Sequence, residues 1–219
     1  MFVDIHRHSA DNADADIVIR NLFHTQTNEI VKGKFYSVGL HPWHINSKSW
    51  EKDFEKVKNI CSKNEVVAIG ECGIDKSINC NLDLQIEVFD QHIQLSKAVN
   101  KPIIIHCVRA YNEILHLRKH SKHLKPWVFH WFNASYEMGT ALINKGCYLS
   151  FGHMLFNIKS KTYKSFASFP HNRVFFETDD AEISIIDVYK TAASLMNIPL
   201  KQFQECIIHN LKECFTLDI

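Results

Sequence analysis

The strongest constraint on the fold is a repeated pattern of short apolar runs, each leading into a histidine or a carboxylate. The runs lie at 66–70, 102–105, 127–129 and 173–178, and they lead into Glu71, His106, His130 and Asp179. Stretches with helical character separate them. Continuous β-branched and aromatic runs of this kind indicate buried parallel strands that are joined by crossover helices.

Extending this reading along the chain predicts an α/β protein with eight strands. The strands are expected at 2–6, 17–23, 35–40, 66–70, 102–106, 127–130, 147–150 and 173–177. The helices are expected at 50–63, 83–99, 110–121, 134–145, 184–196 and 200–216. Eight strands that alternate with helices predict a (β/α)8 TIM barrel.

The segment between His8 and Gly39 is too short for a regular barrel. It has 31 positions, whereas two full helices and a strand need roughly 55 at ordinary element lengths. Residues 11–16 are few and polar, and residues 24–34 have room for a turn or two. We therefore expect the outer helices after strands 1 and 2 to be shortened or missing.

A His-x-His pair closes the first predicted strand. Side chains on a strand alternate between its faces, so His6 and His8 point the same way and lie about 6.6 Å apart along the strand. Two imidazoles at that separation can hold one divalent metal. In parallel α/β folds the functional site lies at the carboxyl ends of the strands. These two histidines, with the four side chains that follow the other strands, make a set suited to two metals.

Several blocks of sequence carry a further indication. They are DIHRH at 4–8, GLHP at 39–42, GECGID at 70–75, IHCVRA at 105–110, FHWF at 129–132 and ETD at 177–179. In order, type and approximate spacing these blocks resemble the TatD family of metal-dependent deoxyribonucleases and related hydrolases. The resemblance runs from His6 to about Phe215, which is nearly the whole chain.

The resemblance implies a ligand set and an activity. One metal would take His6, His8 and Asp179. The second would take His106 and His130, and Glu71 would bridge the two. Zn, Mg or Mn could be the native ion. Asp179 would also orient the attacking water and accept its proton, and Glu71 would share in catalysis. The implied reaction is hydrolysis of DNA phosphodiester bonds, as 3′–5′ exonuclease action on single strands.

Substrate contacts are a separate expectation. Arg109 follows His106 by three residues at a predicted helix start, where a guanidinium could bind a phosphate in two-point fashion or form a surface ion pair. His41 is a second candidate for binding substrate. Aromatic side chains that follow strands could stack on bases or pack in the core. They are Trp43, Trp131, Phe132 and Phe151. Asp180 is expected to face solvent, and Asn133 has no assigned role.

Composition limits the class of protein. The 219 residues can form one sizeable core, and no Gly/Ser/Pro-rich linker divides them, so we expect a single domain over 1–219. A net charge of +1 argues against extensive duplex binding but allows an enzyme that grips one strand end. Seven cysteines without a C-x-x-C pair fit reduced thiols in a cytoplasmic protein, and Cys72 and Cys107 are expected in the core. No apolar run approaches the length of a membrane helix.

Two other functions stay open. His-x-His barrels also act as amidohydrolases on cyclic amides or amines, in which a modified lysine commonly bridges the metals, whereas this chain has Glu71 at that place. A non-catalytic partner in a larger assembly would have no need of six ligands. The residue at position 71 therefore favours the phosphodiesterase hypothesis.

Overall fold

The computed structural model describes residues 1–9, 14–121 and 125–217. Across these residues eight strands form one sheet, and hydrogen-bonded neighbours follow the order of the chain. The strands are β1 (Val3–Arg7), β2 (Ile17–Phe23), β3 (Phe35–Gly39), β4 (Val66–Asp75), β5 (Ile103–Val108), β6 (Trp127–Phe129), β7 (Tyr148–Phe151) and β8 (Val174–Phe176). The strand order and the alternation with helices confirm the predicted (β/α)8 fold.

The helices follow the strands as expected, with one addition. They are α1 (Trp50–Ile60), α2 (Leu82–Val99), α3 (Tyr111–His120), α4 (Tyr136–Ile143), α5 (Lys161–Phe166), α6 (Ile185–Met196) and α7 (Leu200–Phe215). Short 3-10 helices lie at Pro42–His44, His153–Phe156 and His171–Arg173. The sequence reading missed α5, whose six residues are too few to show a helical period. In the described ranges no helix is both long and apolar enough to cross a membrane.

The chain divides into two compact units. We call Met1–Arg20 with Phe129–Ile219 the terminal unit, and Asn21–Val128 the central unit. In the terminal unit, aromatic rings build much of the core. Phe151 lies edge-on to Phe166 with ring centroids 4.9 Å apart, and Phe176 contacts Tyr189 at 4.6 Å. The expectation of a single domain over 1–219 stays a prediction.

The core of the central unit is mostly aliphatic. On α1 the buried residues Phe54, Val57 and Ile60 recur at a spacing of three, so they form one helix face that packs with Tyr36 and Val66 in a single apolar cluster. The remaining residues of α1 are largely charged and exposed. Burial of this face holds the helix against β3 and β4.

In the described residues, no helix follows β1 or β2 before the next strand. Between Phe23 and Phe35 the chain makes only turns, and the described residues between β1 and β2 contain no helix. Residues 11–13 of the predicted polar segment lie outside the described ranges. The loop after β2 is fixed by Tyr36, whose hydroxyl accepts from the Val31 N–H at 3.2 Å and donates to the Glu29 carbonyl at 3.4 Å. The short spacing therefore predicted this departure correctly.

One strand is longer than the sequence indicated. The run at 66–70 was expected to end at Glu71, but β4 continues to Asp75 and pairs in parallel with β5 through Cys72↔Ile105 and Ile74↔Cys107. Polar and glycine residues in this stretch look like a strand end. Gly73, at φ +147°, is needed there because a Cβ would overlap the carbonyl oxygen of His106. Glu71 thus lies inside a fully buried strand.

Candidate functional site

In the terminal unit, β1 and the residues after β8 bring together two histidines and a carboxylate. His6 is fully buried, and the side chain of His8 is 24% exposed. Their Nε2 atoms lie 3.6 and 3.2 Å from Oδ1 of Asp179. The two imidazoles are perpendicular, with ring centroids 5.1 Å apart. The structure therefore places the predicted His-x-His pair and Asp179 on one site.

The backbone of Asp179 is held against the end of β1. Its N–H donates to the His6 carbonyl at 2.9 Å, and its own carbonyl accepts from the His8 N–H at 3.2 Å. Asp179 has φ +55°, a left-handed conformation that costs energy in a residue other than glycine. The two hydrogen bonds fix this conformation and so aim the carboxylate at the histidines.

The buried carboxylate of Asp4 holds Thr178, the residue that precedes Asp179. Asp4 is fully buried and accepts from the Thr178 hydroxyl at 2.6 Å and from the Thr178 N–H at 3.2 Å. Burial raises the pKa of Asp4 to about 7, although the hydrogen bonds from Thr178 act in the opposite direction. Arg7 donates to the same hydroxyl at 3.0 Å. These contacts set the chain direction just before Asp179.

His130 joins the same group. Its ring centroid lies 4.3 Å from that of His6, and ligand atoms of His6, His130 and Asp179 all lie within 4.8 Å of one another. Glu177, almost fully buried, places Oε1 3.5 Å from His130 Nδ1 and also accepts from the Trp131 N–H. A carboxylate next to a histidine commonly orients the ring when that histidine binds a metal.

The central unit holds a second group, formed by Glu71, His106 and His41. Oε1 of Glu71 lies 2.7 Å from His106 Nδ1 and 3.1 Å from His41 Nε2, and the two nitrogens are 3.2 Å apart. All three side chains are largely buried, and Glu71 is 3% exposed. His41 was expected to contact substrate, and that role stays a proposal. The structure places it beside Glu71.

Hydrogen bonds determine which nitrogen each histidine presents. The Trp43 N–H donates to His41 Nδ1 at 3.1 Å, so the proton of a neutral His41 lies on Nε2 and points to Glu71. His106 has a carboxylate at each nitrogen, because Oδ2 of Asp75 lies 3.2 Å from its Nε2. A neutral imidazole has one N–H, so in that form one of these contacts would set a lone pair against a carboxylate oxygen. A divalent cation between Nδ1 and Glu71 would relieve that opposition.

Asp75 is held firmly as the outer partner of His106. Its N–H donates to the Gln85 side chain at 2.8 Å, and Gln85 donates back to the Asp75 carbonyl at 3.1 Å. Burial raises the pKa of Asp75, but hydrogen bonds from Ser77 and Trp43 outweigh it and hold the pKa below its ordinary value. The carboxylate therefore stays charged and can anchor His106.

Asn21 positions Glu71 from β2. It is 1% exposed, and its Oδ1 accepts from the Glu71 N–H at 2.7 Å and from the Ser37 hydroxyl at 3.1 Å. Backbone N–H groups buried in a sheet need an acceptor. Asn21 supplies one at the residue whose carboxylate meets His106.

Replacing Asn21 by alanine is expected to destabilise the protein and loosen Glu71. The substitution leaves a buried N–H without its acceptor, which costs about 1–3 kcal/mol of unfolding free energy. Chemical denaturation measures this loss. Asn112→Ala, at an exposed position on α3, serves as the control and should change stability by less than about 0.5 kcal/mol. Equal stability of the two variants would remove Asn21 from this role.

Both groups fit divalent metal ions. Imidazole nitrogens and carboxylate oxygens converge within each group, and this mixture suits Zn, Mn or related ions. Cys72 and Cys107 do not join either group in the described residues. Cys72 is fully buried, and burial raises the pKa of both thiols far above the usual value. Cys72 is therefore a core residue, as the sequence indicated, whereas Cys107 is only half-buried.

The other residues that were predicted to contact substrate differ in the solvent exposure of their side chains. Arg109, at φ +55°, is exposed just before α3, and no side chain in the described ranges pairs with its guanidinium. Trp43 is 65% exposed, whereas Phe132 and Phe151 are each 1% exposed and belong to the core. Asp180 is exposed, as expected. Arg109 and Trp43 thus remain available to a substrate, and the two phenylalanines do not.

Some supporting residues were not singled out from the sequence. They are Asp4, Asn21, Asp75 and Glu177. Asn21 had a signal of its own, since it is a polar residue inside the apolar run of β2. The other three stand in the blocks already quoted, but their partners come from distant parts of the chain. Spacing along the sequence could not reveal those contacts.

Comparison with known proteins adds independent findings. A family model described as TatD related DNase matches residues 19–216. An uncharacterized metal-dependent hydrolase from Buchnera aphidicola subsp. Baizongia pistaciae is 32% identical over 151 residues, which cover 68% of this chain and 56% of the relative. A 3′-5′ ssDNA/RNA exonuclease TatD from Pantoea ananatis is 31% identical over 119 residues, which cover 50% of this chain and 43% of the relative.

A solved structure matches along almost the whole length. It is a TatD homologue from Escherichia coli, with a TM-score of 0.86 and 19% identity over 99% of this chain and 98% of the other. At that identity the likeness concerns the fold alone. The matches to the first curated relatives cover 56% to 60% of the lengths of those proteins.

Proposed function

Because the chain belongs to the family of TatD-related DNases, we propose that it is a metal-dependent hydrolase that cuts phosphodiester bonds in DNA. The observation that carries the proposal is the pair of histidine–carboxylate groups, one in each compact unit. Each combines buried imidazoles with a carboxylate that contacts them directly. Groups of this kind hold the divalent ions on which phosphodiester hydrolysis commonly depends.

The candidate ligands divide into two sets, one for each proposed cation. In the terminal unit, His6, His8 and Asp179 would hold one cation, which their mutual distances support. In the central unit, Glu71 and His106 would hold the other, with Asp75 as the outer partner of His106. The bridging role of Glu71 and the place of His130 on the second cation follow from the family resemblance.

Each residue of the site has a separate role in the proposed hydrolysis. Divalent cations held by these ligands would lower the pKa of a water and offset the charge on the phosphate oxygens. Asp179, whose carboxylate lies beside His6 and His8, accepts the proton of the attacking water. Asp75 keeps the His106 ring in one orientation. Arg109 neutralises the phosphate from the exposed side.

Replacing Arg109 by lysine is expected to lower kcat/KM on an oligonucleotide by about 5- to 150-fold. Lysine keeps the charge but loses the planar two-point grip, a loss on the order of 1–3 kcal/mol. Thermal unfolding should be unchanged, because the side chain is exposed. Unchanged kcat/KM with normal stability would exclude Arg109 from the site.

The proposed substrate is the 3′ end of single-stranded DNA. The name of the Pantoea ananatis relative supports the polarity and the single strand. The net charge of +1 also supports this substrate, because it offers little attraction for a long duplex. An enzyme that depends on strand ends should shorten a linear strand stepwise and leave a closed circle intact.

Two labelled substrates test the proposal. A single strand with a 5′ label should give a ladder that shortens from the 3′ end when Mg, Mn or Zn is supplied. A circular strand of the same sequence is the control and should resist cleavage. Equal cutting of the circle would contradict the exonuclease proposal. Absence of cleavage with every metal would instead favour a small phosphodiester or the amidohydrolase alternative.

A further inference from the structure

Trp43 is unusual in being a large aromatic side chain that is both exposed and next to the central group. Its side chain is 65% exposed, although most tryptophans in folded proteins are largely buried. The indole lies edge-on to His41 with ring centroids 5.1 Å apart, and its centroid is 6.1 Å from that of His106. The exposed ring is therefore adjacent to two histidines that contact Glu71.

The indole is also held in one position. Its Nε1–H donates to Oδ2 of Asp75 at 2.7 Å, and the backbone N–H donates to His41 Nδ1 at 3.1 Å. Pro42 begins the short 3-10 helix Pro42–His44 that carries it. Two hydrogen bonds and a restricted backbone remove most of the freedom that an exposed side chain would otherwise lose on binding. Preorganisation of this kind strengthens binding.

The other aromatic candidates lack this combination. Phe132 and Phe151 are buried in the core of the terminal unit. Trp131 is half-buried, with its ring edge-on to His153 at 4.8 Å. Among the four aromatic residues predicted to follow strands, Trp43 alone offers a broad exposed face on a fixed ring.

We propose that the exposed face of Trp43 stacks on the 3′-terminal nucleobase of the DNA strand. This inference rests on the proposed function and adds a base-binding subsite to it. Every base has a flat π face, so such a contact tolerates any sequence, and a base must be unpaired to reach it. Stacking of one base on one aromatic ring changes affinity by roughly 5- to 150-fold. The subsite would therefore favour single strands without selecting a sequence.

The test combines two variants with two substrates. Trp43→Ala removes the ring, and Trp43→Phe keeps a flat face but loses the hydrogen bond to Asp75. Each variant is assayed on a strand with a normal 3′-terminal nucleotide and on the same strand with an abasic 3′ end. We expect Trp43→Ala to lower kcat/KM by about 5- to 150-fold on the normal strand and by less than about threefold on the abasic strand. Trp43→Phe should retain most of the wild-type preference for the normal strand.

Two results would overturn the stacking proposal. Equal losses on the two strands would mean that Trp43 does not meet the terminal base. If Trp43→Phe were as impaired as Trp43→Ala, the indole would act by holding Asp75 instead. Tyr136→Ala, which removes another exposed aromatic ring, is the control and should leave kcat/KM on both the normal and the abasic strand unchanged.

A binding experiment separates the stacking proposal from the proposed hydrolysis. Fluorescence anisotropy measures the binding of the normal and the abasic strand to chelator-treated protein. Base-dependent binding without hydrolysis under any metal would contradict the proposed function and leave the subsite supported.

Discussion

Replacing Glu71 by alanine is expected to abolish metal-dependent hydrolysis and to lower the metal content of the purified protein. The loss of kcat should reach about 1000-fold or more, as for removal of a central electrostatic group. The Glu71 carboxylate meets both His106 and His41 within 3.1 Å and is almost fully buried. Without it, the central group loses the carboxylate oxygen that lies within 3.1 Å of a nitrogen of each histidine. Metal analysis and single-turnover kinetics measure the two effects.

Two further variants make the Glu71 result specific. Glu71→Gln keeps the size of the side chain but loses the charge, so it should retain the fold and still lose most of the activity. Glu205→Ala, at an exposed position on α7, makes the same chemical change away from the site and should behave like the wild type. If Glu71→Ala kept its full metal content and activity, the central group could not be a metal site.

Replacing Asp179 by asparagine is expected to lower kcat by about 100- to 1000-fold. The two backbone hydrogen bonds that Asp179 makes with β1 do not involve its side chain, so the fold should persist. The variant loses the negative charge that faces His6 and His8 and the oxygen proposed to accept a proton. The dependence of kcat on pH should change as well, because an amide cannot act as a base.

The neighbouring residue provides a matched control. Asp180 is exposed, whereas Asp179 is 9% exposed, so Asp180→Asn removes the same charge from solvent one residue away. We expect wild-type kcat for Asp180→Asn. Similar kinetics in the two variants would mean that Asp179 neither binds a metal nor accepts the proton.

The strands and most helices could be predicted because their signals are local. Short runs of β-branched and aromatic residues such as 127–129 favour a buried strand, and α1 shows its apolar face at regular spacing. The end of β4 could not be placed, because Glu71, Gly73 and Asp75 resemble a strand end and are kept in the sheet by pairing with β5. Tertiary pairing overrode the local pattern there.

The absence of helices after β1 and β2 in the described residues illustrates what chain length alone can decide. The 31 positions from His8 to Gly39 ruled out two full helices before any contact was known. The way the chain fills the gap could not be foreseen. The hydroxyl of Tyr36 fixes the loop after β2 by bonding to the backbone of Glu29 and Val31, a contact that spacing does not predict.

The sequence identified the candidate ligands, whose role as ligands stays a prediction, but not the residues that hold them in place. The positions of His6, His8 and Asp179 followed from strand geometry and from the resemblance. The left-handed backbone of Asp179 and the hydrogen bond from Trp43 to Asp75 depend on contacts across the fold. Residue type at fixed spacing thus indicates which chemistry is present, and the fold determines how each group is aimed.

Metal-dependent hydrolysis of DNA is tested most directly by cleavage of an end-labelled single strand with protein from which metal has been removed. We expect no cleavage in the presence of a chelator and recovery of a 3′-shortening ladder when Mg, Mn or Zn is added. Metal bound per chain should fall in Glu71→Ala and Asp179→Asn and stay unchanged in Glu205→Ala and Asp180→Asn. Cleavage that persists after chelation, with no metal bound by the wild type, would show that hydrolysis does not depend on a metal.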